Sequence, residues 1–309
     1  MSSFSKILLL GGNGFVGKNF KKLNEKFNVI APSSKELDLK KFINVKNYLK
    51  ENNPDLVINL AGVVGGILIN KENNFKFLDE NIQINQNLIR ALYDNKILNY
   101  LNVSSSCIYP KNISKSLTED LILSGKLEET NEGYALAKIA ALKSCNYISR
   151  ECGYNYKTII PCNLYGPYDN FNQETSHMIP GVISRMYEAK LNDQNKFKVW
   201  GDGFARREVM YVIDFVNFLF FAIENFKKIP NIINVGLGYD YSVIEYYNFI
   251  ANSMKVSFEY SYDKSKPTGM SKKLVDISEV NKLGWQPKYT ISSGIEETIK
   301  YYEKEIIKI

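Results

Sequence analysis

The chain has 309 residues, of which 45% are hydrophobic and 23% are charged, and its formal net charge at pH 7 is +6. These proportions are ordinary for a globular protein and exclude a disordered or fibrous chain. The length allows two packed units of roughly 150 residues each, or one α/β domain with an added lobe. Lysine and arginine are spread along the sequence rather than gathered in a stripe, so we predict a solvated basic surface and no nucleic-acid partner.

The sequence contains no segment typical of membrane insertion or export. Its longest apolar runs, such as 63–69, fall far short of the roughly 20 residues that span a bilayer, and the first ten residues do not form a signal peptide. We therefore predict a cytoplasmic protein with no membrane partner. The four cysteines, at positions 107, 145, 152 and 162, and the single histidine make no Cys-x-x-Cys pair and no plausible zinc set. No metal site and no disulfide framework is predicted.

The first half of the chain repeats one pattern, in which a short apolar run is followed by a helical segment. This is the sequence form of β-α-β units that build a parallel sheet. The predicted strands are 6–10, 28–31, 56–60, 100–104 and 157–161, and the predicted helices are 15–23, 44–51, 73–93 and 133–151. The pattern predicts an α/β fold with a doubly wound parallel sheet of the Rossmann type.

The rhythm changes after residue 161. A turn-rich loop at 163–171 precedes a predicted helix at 180–190 and two short strands within 197–211. A helix at 215–225 and a strand at 232–235 are predicted to return to the sheet. Two Ser-x-x-Glu capping boxes, Ser242 with Glu245 and Ser293 with Glu296, are predicted to open late helices.

A glycine-rich loop follows the first predicted strand directly. Gly11, Gly14 and Gly17 lack a Cβ atom, so the loop can turn tightly and approach a pyrophosphate, whose charge the helix N-terminus stabilises. In this position the spacing predicts a dinucleotide-binding domain. We assign residues 1–162 and about 212–236 to that domain, and about 163–211 and 237–309 to a smaller C-terminal α+β lobe that binds the substrate.

The end of the second predicted strand indicates which dinucleotide is bound. Residues 30–35 contain no Asp or Glu that could accept a hydrogen bond from the adenosine ribose 2′-hydroxyl. The hydroxyls of Ser33 and Ser34 and the ammonium of Lys35 suit a 2′-phosphate. The segment therefore favours NADP(H) as the cofactor and leaves NAD(H) open.

Tyr134 and Lys138 lie four residues apart in a predicted helix, which places phenol and ammonium on one face. The lysine charge is expected to lower the pKa of the tyrosine, which can then protonate a carbonyl oxygen as hydride arrives. The same spacing occurs twice more within 260–266, as chance predicts for so many Tyr and Lys residues. Only Tyr134 is accompanied by serines, at 104–106, at a strand end where doubly wound folds bind ligands. We therefore predict a catalytic trio that includes Ser105.

The glycine-rich loop, the serines at 104–106 and the Tyr134/Lys138 pair together resemble the extended short-chain dehydrogenase/reductase superfamily. Longer strings narrow the resemblance to the GDP-L-fucose synthase family, and they follow one another nearly from end to end of the chain. They include SSCIYPK at 105–111, ALAKIA at 135–140, NLYGP at 163–167, SHMIP at 176–180 and KPTG at 266–269. That family reduces the 4-ketone of GDP-4-keto-6-deoxy-mannose with NADPH after it epimerises C3 and C5.

The resemblance implies a role for each matching residue and a GDP-sugar as the small-molecule partner. Ser105, Tyr134 and Lys138 would serve reduction, while Cys107 and His177 would be the base and the acid of epimerisation. This agrees with the chemistry, because inversion beside a ketone needs one group to remove a proton and another to return it from the opposite face. The implied substrate contacts are Ser106, Cys107, Asn163, His177, Arg185, Trp200, Arg207 and Lys266. The implied cofactor contacts are Gly11, Asn13, Gly14, Phe15, Val16, Gly17, Ser33, Ser34, Asp38, Leu39, Leu60, Ala61, Gly62, Tyr134, Lys138, Pro161, Asn163 and Leu164.

The sequence departs from the family pattern at several positions expected near the sugar. Val63 replaces a lysine, Leu68 and Ile69 replace a His-Ala pair, Gly133 replaces a proline and Tyr168 replaces a histidine. A pocket altered in this way could accept a different sugar, such as a GDP-4-keto-6-deoxy-heptose, and reduce it without epimerisation. The superfamily also implies a homodimer formed by the helices at 73–93 and 133–151.

Other functions on the same fold remain as alternatives. A nucleotide-sugar 4-epimerase would hold NAD tightly and need no external reductant. A 4,6-dehydratase would need a carboxylate beside the serine cluster, where Ser106 and Cys107 supply none. A non-enzymatic dinucleotide sensor would lack a member of the trio, and all three are present.

Overall fold

A computed structural model describes residues 4–266 and 269–308. Its centre is a sheet of six parallel strands, numbered here in chain order. From one edge to the other they are β2 (Val29–Ile30), β1 (Ile7–Leu10), β3 (Leu56–Asn59), β4 (Asn99–Val103), β5 (Asn155–Pro161) and β10 (Ile232–Val235). This order confirms the predicted Rossmann-type α/β fold, including the return of the chain to the sheet at β10.

Helices lie on both faces of the sheet and continue into the C-terminal part. They are α1 (Phe15–Leu23), α2 (Phe42–Asn52), α3 (Ile67–Glu72), α4 (Asn74–Asp94), α5 (Glu132–Cys152), α6 (Met178–Leu191), α7 (Val212–Glu224), α8 (Val243–Met254), α9 (Ser278–Lys282) and α10 (Ile291–Tyr301). The sequence did not predict α3, because its six residues are too few to establish a helical period. Within the described residues, no helix has the length and apolar character needed to cross a membrane.

Short strands form three small sheets in addition to the six-stranded sheet. β6 (Asn163–Tyr165) pairs in parallel with β9 (Val209–Tyr211), and β7 (Lys196–Trp200) pairs in parallel with β12 (Glu259–Asp263). A third small sheet places β8 (Arg206–Arg207) between β11 (Tyr241–Ser242) and β13 (Lys272–Lys273). The prediction of two strands within 197–211 was therefore incomplete, since β7, β8 and β9 lie there.

The alternation of side chains along β1 divides the apolar interior into two cores. Ile7 and Leu9 point to one face of the sheet, and Leu8 and Leu10 point to the other. All four are at most 2% exposed, as expected for a central parallel strand that is covered on both sides. The core that contains Ile7 extends through α7 into the C-terminal part of the chain. The sheet and the C-terminal part therefore share one continuous apolar core.

One of the two predicted capping boxes is confirmed and the other is wrong. The Ser242 side chain accepts a hydrogen bond from the Glu245 backbone N–H, and the Glu245 carboxylate accepts one from the Ser242 N–H. At the last long helix, Thr290 is the N-cap residue, and its hydroxyl accepts from the Ser293 N–H at 3.2 Å. Ser293 lies in the first turn, because Thr290 offers the same capping chemistry three residues earlier.

Glu208 is a buried carboxylate between β8 and β9 that is hydrogen-bonded to the turn after β10. Its Oε1 accepts from the backbone N–H groups of Leu237 and Gly238, and its Oε2 accepts from the Val275 N–H at 2.9 Å. Glu208 is 2% exposed. Burial raises the pKa of this carboxyl to about 7, against the three N–H groups, which favour the charged form.

We expect Glu208→Gln to reduce stability in a manner that depends on pH. A carboxyl with a raised pKa takes up a proton on folding, so the wild-type free energy of unfolding falls as pH rises from the unfolded pKa towards about 7. The glutamine variant lacks this slope and loses charge-assisted hydrogen bonds. Its deficit relative to wild type should shrink by about 2 kcal/mol between pH 5 and pH 7.5, measured by urea unfolding. A deficit that stays constant would contradict the assignment, and the exposed Glu72→Gln serves as the control.

Candidate active site

The glycine loop forms a cradle that no side chain could share. A Cβ atom at Gly17 would lie 2.3 Å from the Gly11 carbonyl oxygen, and one at Gly11 would lie 2.6 Å from the Ala61 nitrogen. Gly11 also has φ +76, in the left-handed region. Gly14 is the N-cap residue of α1, whose first turn contains no acidic residue. The free N–H groups of that turn, which includes the predicted Phe15 and Val16, therefore suit an anionic pyrophosphate.

The segment after β2 contains a carboxylate that the sequence reading did not assign to it. The Glu36 carboxylate accepts a hydrogen bond from the Ser33 N–H at 2.7 Å, and the Ser33 hydroxyl accepts from the Glu36 N–H at 3.3 Å. Residues 30–35 contain no acidic residue, as the sequence shows, and Glu36 follows them directly and turns back onto Ser33. Ser34 is exposed beside this turn. On the other side of the loop, Lys21 donates to the Asn13 side chain at 2.8 Å.

The residues after β3 connect the glycine loop to α5, the helix that contains Lys138. Leu60 and Ala61 pass beneath Gly11, where the Ala61 N–H donates to the Asn59 side chain at 3.0 Å. A Cβ atom on Gly62 would lie 3.7 Å from the Lys138 ammonium. The same segment thus contacts the dinucleotide cradle at one end and Lys138 at the other.

The remaining predicted cofactor contacts lie farther along the strand ends. Pro161 is the last residue of β5, and both Asn163 and Leu164 of β6 line the main cleft. Asp38 accepts from the Lys40 N–H at 3.0 Å. Leu39 is buried in the second core, so packing accounts for its side chain.

The three residues of the predicted catalytic trio lie at the carboxyl end of β4. Tyr134 and Lys138 stand one turn apart on α5, and the Lys138 ammonium lies 5.7 Å from the centre of the Tyr134 ring. Lys138 is only 4% exposed and donates to the Val103 carbonyl at 2.8 Å. Ser105 follows β4, and its hydroxyl accepts from the Cys107 N–H at 3.4 Å. The other Tyr/Lys spacings begin in β12, where four residues do not form a helical turn.

Burial controls the ionisation of the Tyr/Lys pair. It lowers the pKa of Lys138 to about 8, an effect that nearby Cys107 opposes. Burial, and then Cys107, raise the pKa of the Tyr134 phenol. The predicted lowering of the tyrosine pKa was therefore wrong for this structure, because desolvation dominates. The consequence is a phenol that keeps its proton, which is the form a proton donor requires.

A single cleft of about 290 Å³ contains most of the predicted substrate residues. It is lined by Ser105, Cys107, Tyr134, Asn163, His177, Arg185, Trp200 and Arg207. Ser106 is not among the lining residues that the structure describes, and it is 1% exposed, because the short helix Ser106–Ile108 turns its side chain inward. Its predicted contact with substrate is therefore not possible in this conformation.

Two cations, Arg185 and Lys266, lie beside the ring of Trp200, and of these three residues Arg185 and Trp200 line the cleft. The Arg185 guanidinium lies 4.7 Å from the centre of the Trp200 ring, and the Lys266 ammonium lies 5.1 Å from it. Arg185 also donates to the Tyr247 hydroxyl at 2.8 Å. Trp200 is thus a half-buried ring beside two cations rather than a member of the core, and the predicted substrate residue Lys266 is not among the described residues that line the cleft.

Lys273, on β13, is a cleft residue that sequence reasoning missed. Its ammonium makes no hydrogen bond or ion pair within residues 4–266 and 269–308, and burial lowers its pKa. Burial raises the pKa of the Cys107 thiol, and Lys273 is the strongest influence that lowers it. In the sequence, Lys273 directly follows Lys272 and lies close to Lys266. Nothing in this group of lysines indicates that the Lys273 side chain points into the cleft.

Most of the unusual residues do not shape the cleft. Val63, Leu68, Ile69 and Tyr168 are absent from the described residues that line it. Tyr168 packs instead on the Tyr301 ring, with centres 5.1 Å apart. Gly133 packs against α4, where its N–H donates to Asn74 at 2.9 Å, a bond that a proline could not make. The expected alteration of the sugar pocket is therefore not seen at these positions.

A Rossmann-type sheet with a glycine cradle, joined to a Ser/Tyr/Lys cleft, defines an oxidoreductase of the short-chain dehydrogenase/reductase class. The sequence agrees, since residues 7–236 match the NAD dependent epimerase/dehydratase family. The chain belongs to that family.

Individual relatives are similar over nearly the whole chain. GDP-L-colitose synthase of Yersinia pseudotuberculosis is 49% identical over 303 residues, which cover 97% of this chain and 98% of the relative. GDP-L-fucose synthase of Azorhizobium caulinodans is 41% identical over 304 residues, which cover 98% and 97%.

Solved structures give the same result for the fold. A GDP-6-OMe-4-keto-L-xylo-heptose reductase from C. jejuni superimposes with a TM-score of 0.88, at 26% identity and 99% coverage of both chains. A GDP-mannoheptose C4 reductase from Campylobacter jejuni with NADP bound gives a TM-score of 0.84, at 26% identity, covering 98% of this chain and 99% of the other.

Proposed function

We propose that the chain reduces the C4 ketone of a GDP-linked 4-keto-6-deoxy sugar with NADPH, and that it also epimerises C3 and C5. One observation carries the proposal: the cleft that contains Ser105 and Tyr134 also contains Arg185, Arg207 and Lys273. A proton donor for a ketone is thereby placed beside cations that suit a diphosphate. Relatives named for the synthesis of GDP-L-colitose and GDP-L-fucose support the same substrate class.

NADP(H) is the cofactor that the relatives support, and the residues present fit it. The glycine cradle would hold the pyrophosphate, and Ser33 and Ser34 would meet the adenosine ribose. The segment from Leu60 to Gly62 would lead the nicotinamide end towards Lys138. When bound, the reduced dinucleotide supplies a hydride to the ketone carbon.

The trio handles the charge that develops on the ketone oxygen. The Tyr134 phenol, protonated because burial raises its pKa, donates a hydrogen bond to that oxygen and then transfers its proton. Ser105 donates a second hydrogen bond. The Lys138 ammonium, fixed by the Val103 carbonyl, stabilises the phenolate left behind.

We expect Tyr134→Phe to lose reduction while it still binds the dinucleotide. The ring remains, but the transferable proton is gone, which corresponds to a decrease in kcat of about 10²–10⁴-fold. Initial rates of NADPH oxidation with a GDP-4-keto-6-deoxy sugar, together with calorimetric NADPH titration, separate the two effects. Tyr260→Phe removes the phenol of a chance Tyr/Lys pair and should retain activity. Comparable activity of Tyr134→Phe and wild type would overturn the assignment.

Epimerisation is assigned to Cys107 and His177, which enter the cleft from different elements. Cys107 follows β4, and His177 is the N-cap residue of α6. The Cys107 thiolate would remove the proton from the carbon beside the ketone, and the electron pair would pass to the ketone oxygen as an enolate. His177 would then return a proton to that carbon. Lys273 favours the thiolate, which links this cation to the proton transfer.

We expect the wild-type protein to exchange protons at C3 and C5 without any reductant. Incubated with GDP-4-keto-6-deoxy-mannose in D2O, it should incorporate deuterium that mass spectrometry and NMR locate at these carbons. Cys107→Ser should abolish incorporation, because a serine hydroxyl is a far weaker acid than a thiol. The exposed Cys152→Ser is the matched control. Incorporation that persists in Cys107→Ser would remove Cys107 from the mechanism.

Reduction of a GDP-4-keto-6-deoxy-heptose without epimerisation is the second candidate. Two heptose reductases among the similar structures favour it. It is weakened because Val63, Leu68, Ile69 and Tyr168, which motivated it, do not line the described cleft. Rapid NADPH oxidation with no deuterium incorporation in wild type would favour this candidate.

We also propose that the chain is a cytoplasmic homodimer that assembles through α4 and α5. Phe75 is 79% exposed on α4, and Tyr93 is exposed whole turns later on the same face. Leu136 and Tyr147 are exposed in the same way on α5. Exposed apolar side chains on two helices that pack against each other are typical of a contact between copies. The unpaired cysteines support a reducing compartment.

One chain has a mass of 35.4 kDa. Light scattering at micromolar concentration should give twice that mass. The double variant Leu136→Glu, Tyr147→Glu should shift the mass to that of one chain, because it buries charge in the interface. Leu191→Glu, an exposed position at the end of α6, should remain dimeric. A monomeric wild-type protein would refute the proposed assembly.

A further inference from the structure

The loop between β6 and α6 contains a buried carboxylate that the reduction does not use. The Asp169 side chain is 4% exposed, and its Oδ2 is buried with no hydrogen-bond partner among residues 4–266 and 269–308. Within the same residues, its Oδ1 accepts one hydrogen bond, from the Asn170 N–H at 2.7 Å. An incompletely paired carboxylate is costly to bury, so its surroundings are expected to offer it a donor.

The donor that faces Asp169 is the imidazole of His177. Asp169 Oδ1 lies 3.9 Å from His177 Nδ1, and no other carboxylate in residues 4–266 and 269–308 lies within 4.0 Å of that ring. The His177 side chain is 45% exposed and lines the cleft. Asp169 therefore approaches the imidazole from the protein side, at the nitrogen Nδ1.

The loop backbone holds both residues in place. The Asn19 side chain of α1 donates to the Pro167 carbonyl at 2.8 Å, and the Gly66 N–H donates to the Thr175 carbonyl at 3.0 Å. Tyr168 adopts φ +66, a left-handed conformation that is unusual for a tyrosine and that directs the next residue inward. The loop is thus anchored to the dinucleotide side at one end and to the cleft wall at the other.

We propose that Asp169 is a positioning residue for His177, and that it fixes the imidazole with its proton on Nδ1. The inference rests on the epimerisation proposed above. Nδ1–H then donates to the carboxylate, and Nε2 is the atom that exchanges a proton with the sugar. In the protonated ring, Nε2–H gives its proton to the enolate carbon, whose electron pair forms the C–H bond as the ketone is restored. The ring returns to the neutral Nδ1–H form, and the carboxylate stays ionised.

The 3.9 Å separation is longer than a hydrogen bond, so the proposed pairing requires the two side chains to move closer, as catalytic contacts in substrate-free sites often do. His177 is the single histidine of the chain, so its ring nitrogens can be observed without assignment. Long-range 1H–15N correlation spectra, recorded at a pH where the ring is neutral, report which nitrogen carries the proton.

We expect the wild-type spectrum to show mainly the Nδ1–H form and Asp169→Asn to show mainly the Nε2–H form. The substitution keeps the shape of the side chain but removes the charge. Glu174→Gln removes an exposed carboxylate from the same loop and should match wild type. Identical nitrogen patterns in wild type and folded Asp169→Asn would overturn the proposal. If Asp169→Asn does not fold, a wild-type ring that carries its proton mainly on Nε2 overturns it, and one mainly on Nδ1 supports it.

A second measurement connects the pairing to catalysis. In D2O, Asp169→Asn should incorporate deuterium into GDP-4-keto-6-deoxy-mannose about tenfold more slowly than wild type or worse, with NADPH binding unchanged. A purely structural role would weaken both. If wild type shows no incorporation, the proposed epimerisation fails, while the nitrogen spectra still decide the pairing of Asp169 with His177.

Discussion

The hydrogen bond from the Lys138 ammonium to the Val103 carbonyl, at 2.8 Å, joins the two elements to which we assign the reduction chemistry. Val103 ends β4, and the chain continues at once into Ser105 and Cys107. Lys138 stands on α5 one turn from Tyr134. Because this bond satisfies a buried ammonium, it fixes the phenol relative to the serine and the thiol. The glycine cradle reaches the same point through Gly62, so the cofactor and substrate sides meet at Lys138.

Desolvation gives the groups around this bond their protonation states. Burial favours the neutral forms of Tyr134 and Cys107 and lowers the pKa of Lys138 to about 8. A neutral phenol is ready to donate a proton, whereas the thiol must first lose one. Lys273 and Lys138 both favour that loss. The proposed acid for reduction and the proposed base for epimerisation can thus differ in ionisation within one cleft, because each has a different set of charged neighbours.

Hydrophobic periodicity was sufficient to predict the sheet and the helix that carries Tyr134 and Lys138. The spacing of the glycines was sufficient to predict the glycine loop. α1 begins and ends at the predicted residues, and β10 returns to the sheet as expected. The predictions that failed depend on how individual side chains are buried and oriented, which a sequence period does not specify. The Tyr134 pKa depends on burial, and Ser106 is turned inward by a short helix. Val63 and Tyr168 do not line the described cleft as expected, since sequence position near a motif does not determine which side chains line a cleft. Lys273 enters the cleft through a two-residue strand that no periodicity reveals.

The central claim is that a hydride passes from a dinucleotide in the glycine cradle to the C4 carbon of a GDP-sugar in the cleft. The most direct test uses NADPH labelled with deuterium on both hydrogens of nicotinamide C4. With wild-type protein and a GDP-4-keto-6-deoxy sugar in ordinary water, the product should carry one deuterium, located at sugar C4 by NMR. Label that is absent from C4, with the 4-keto sugar nonetheless consumed, would contradict the account.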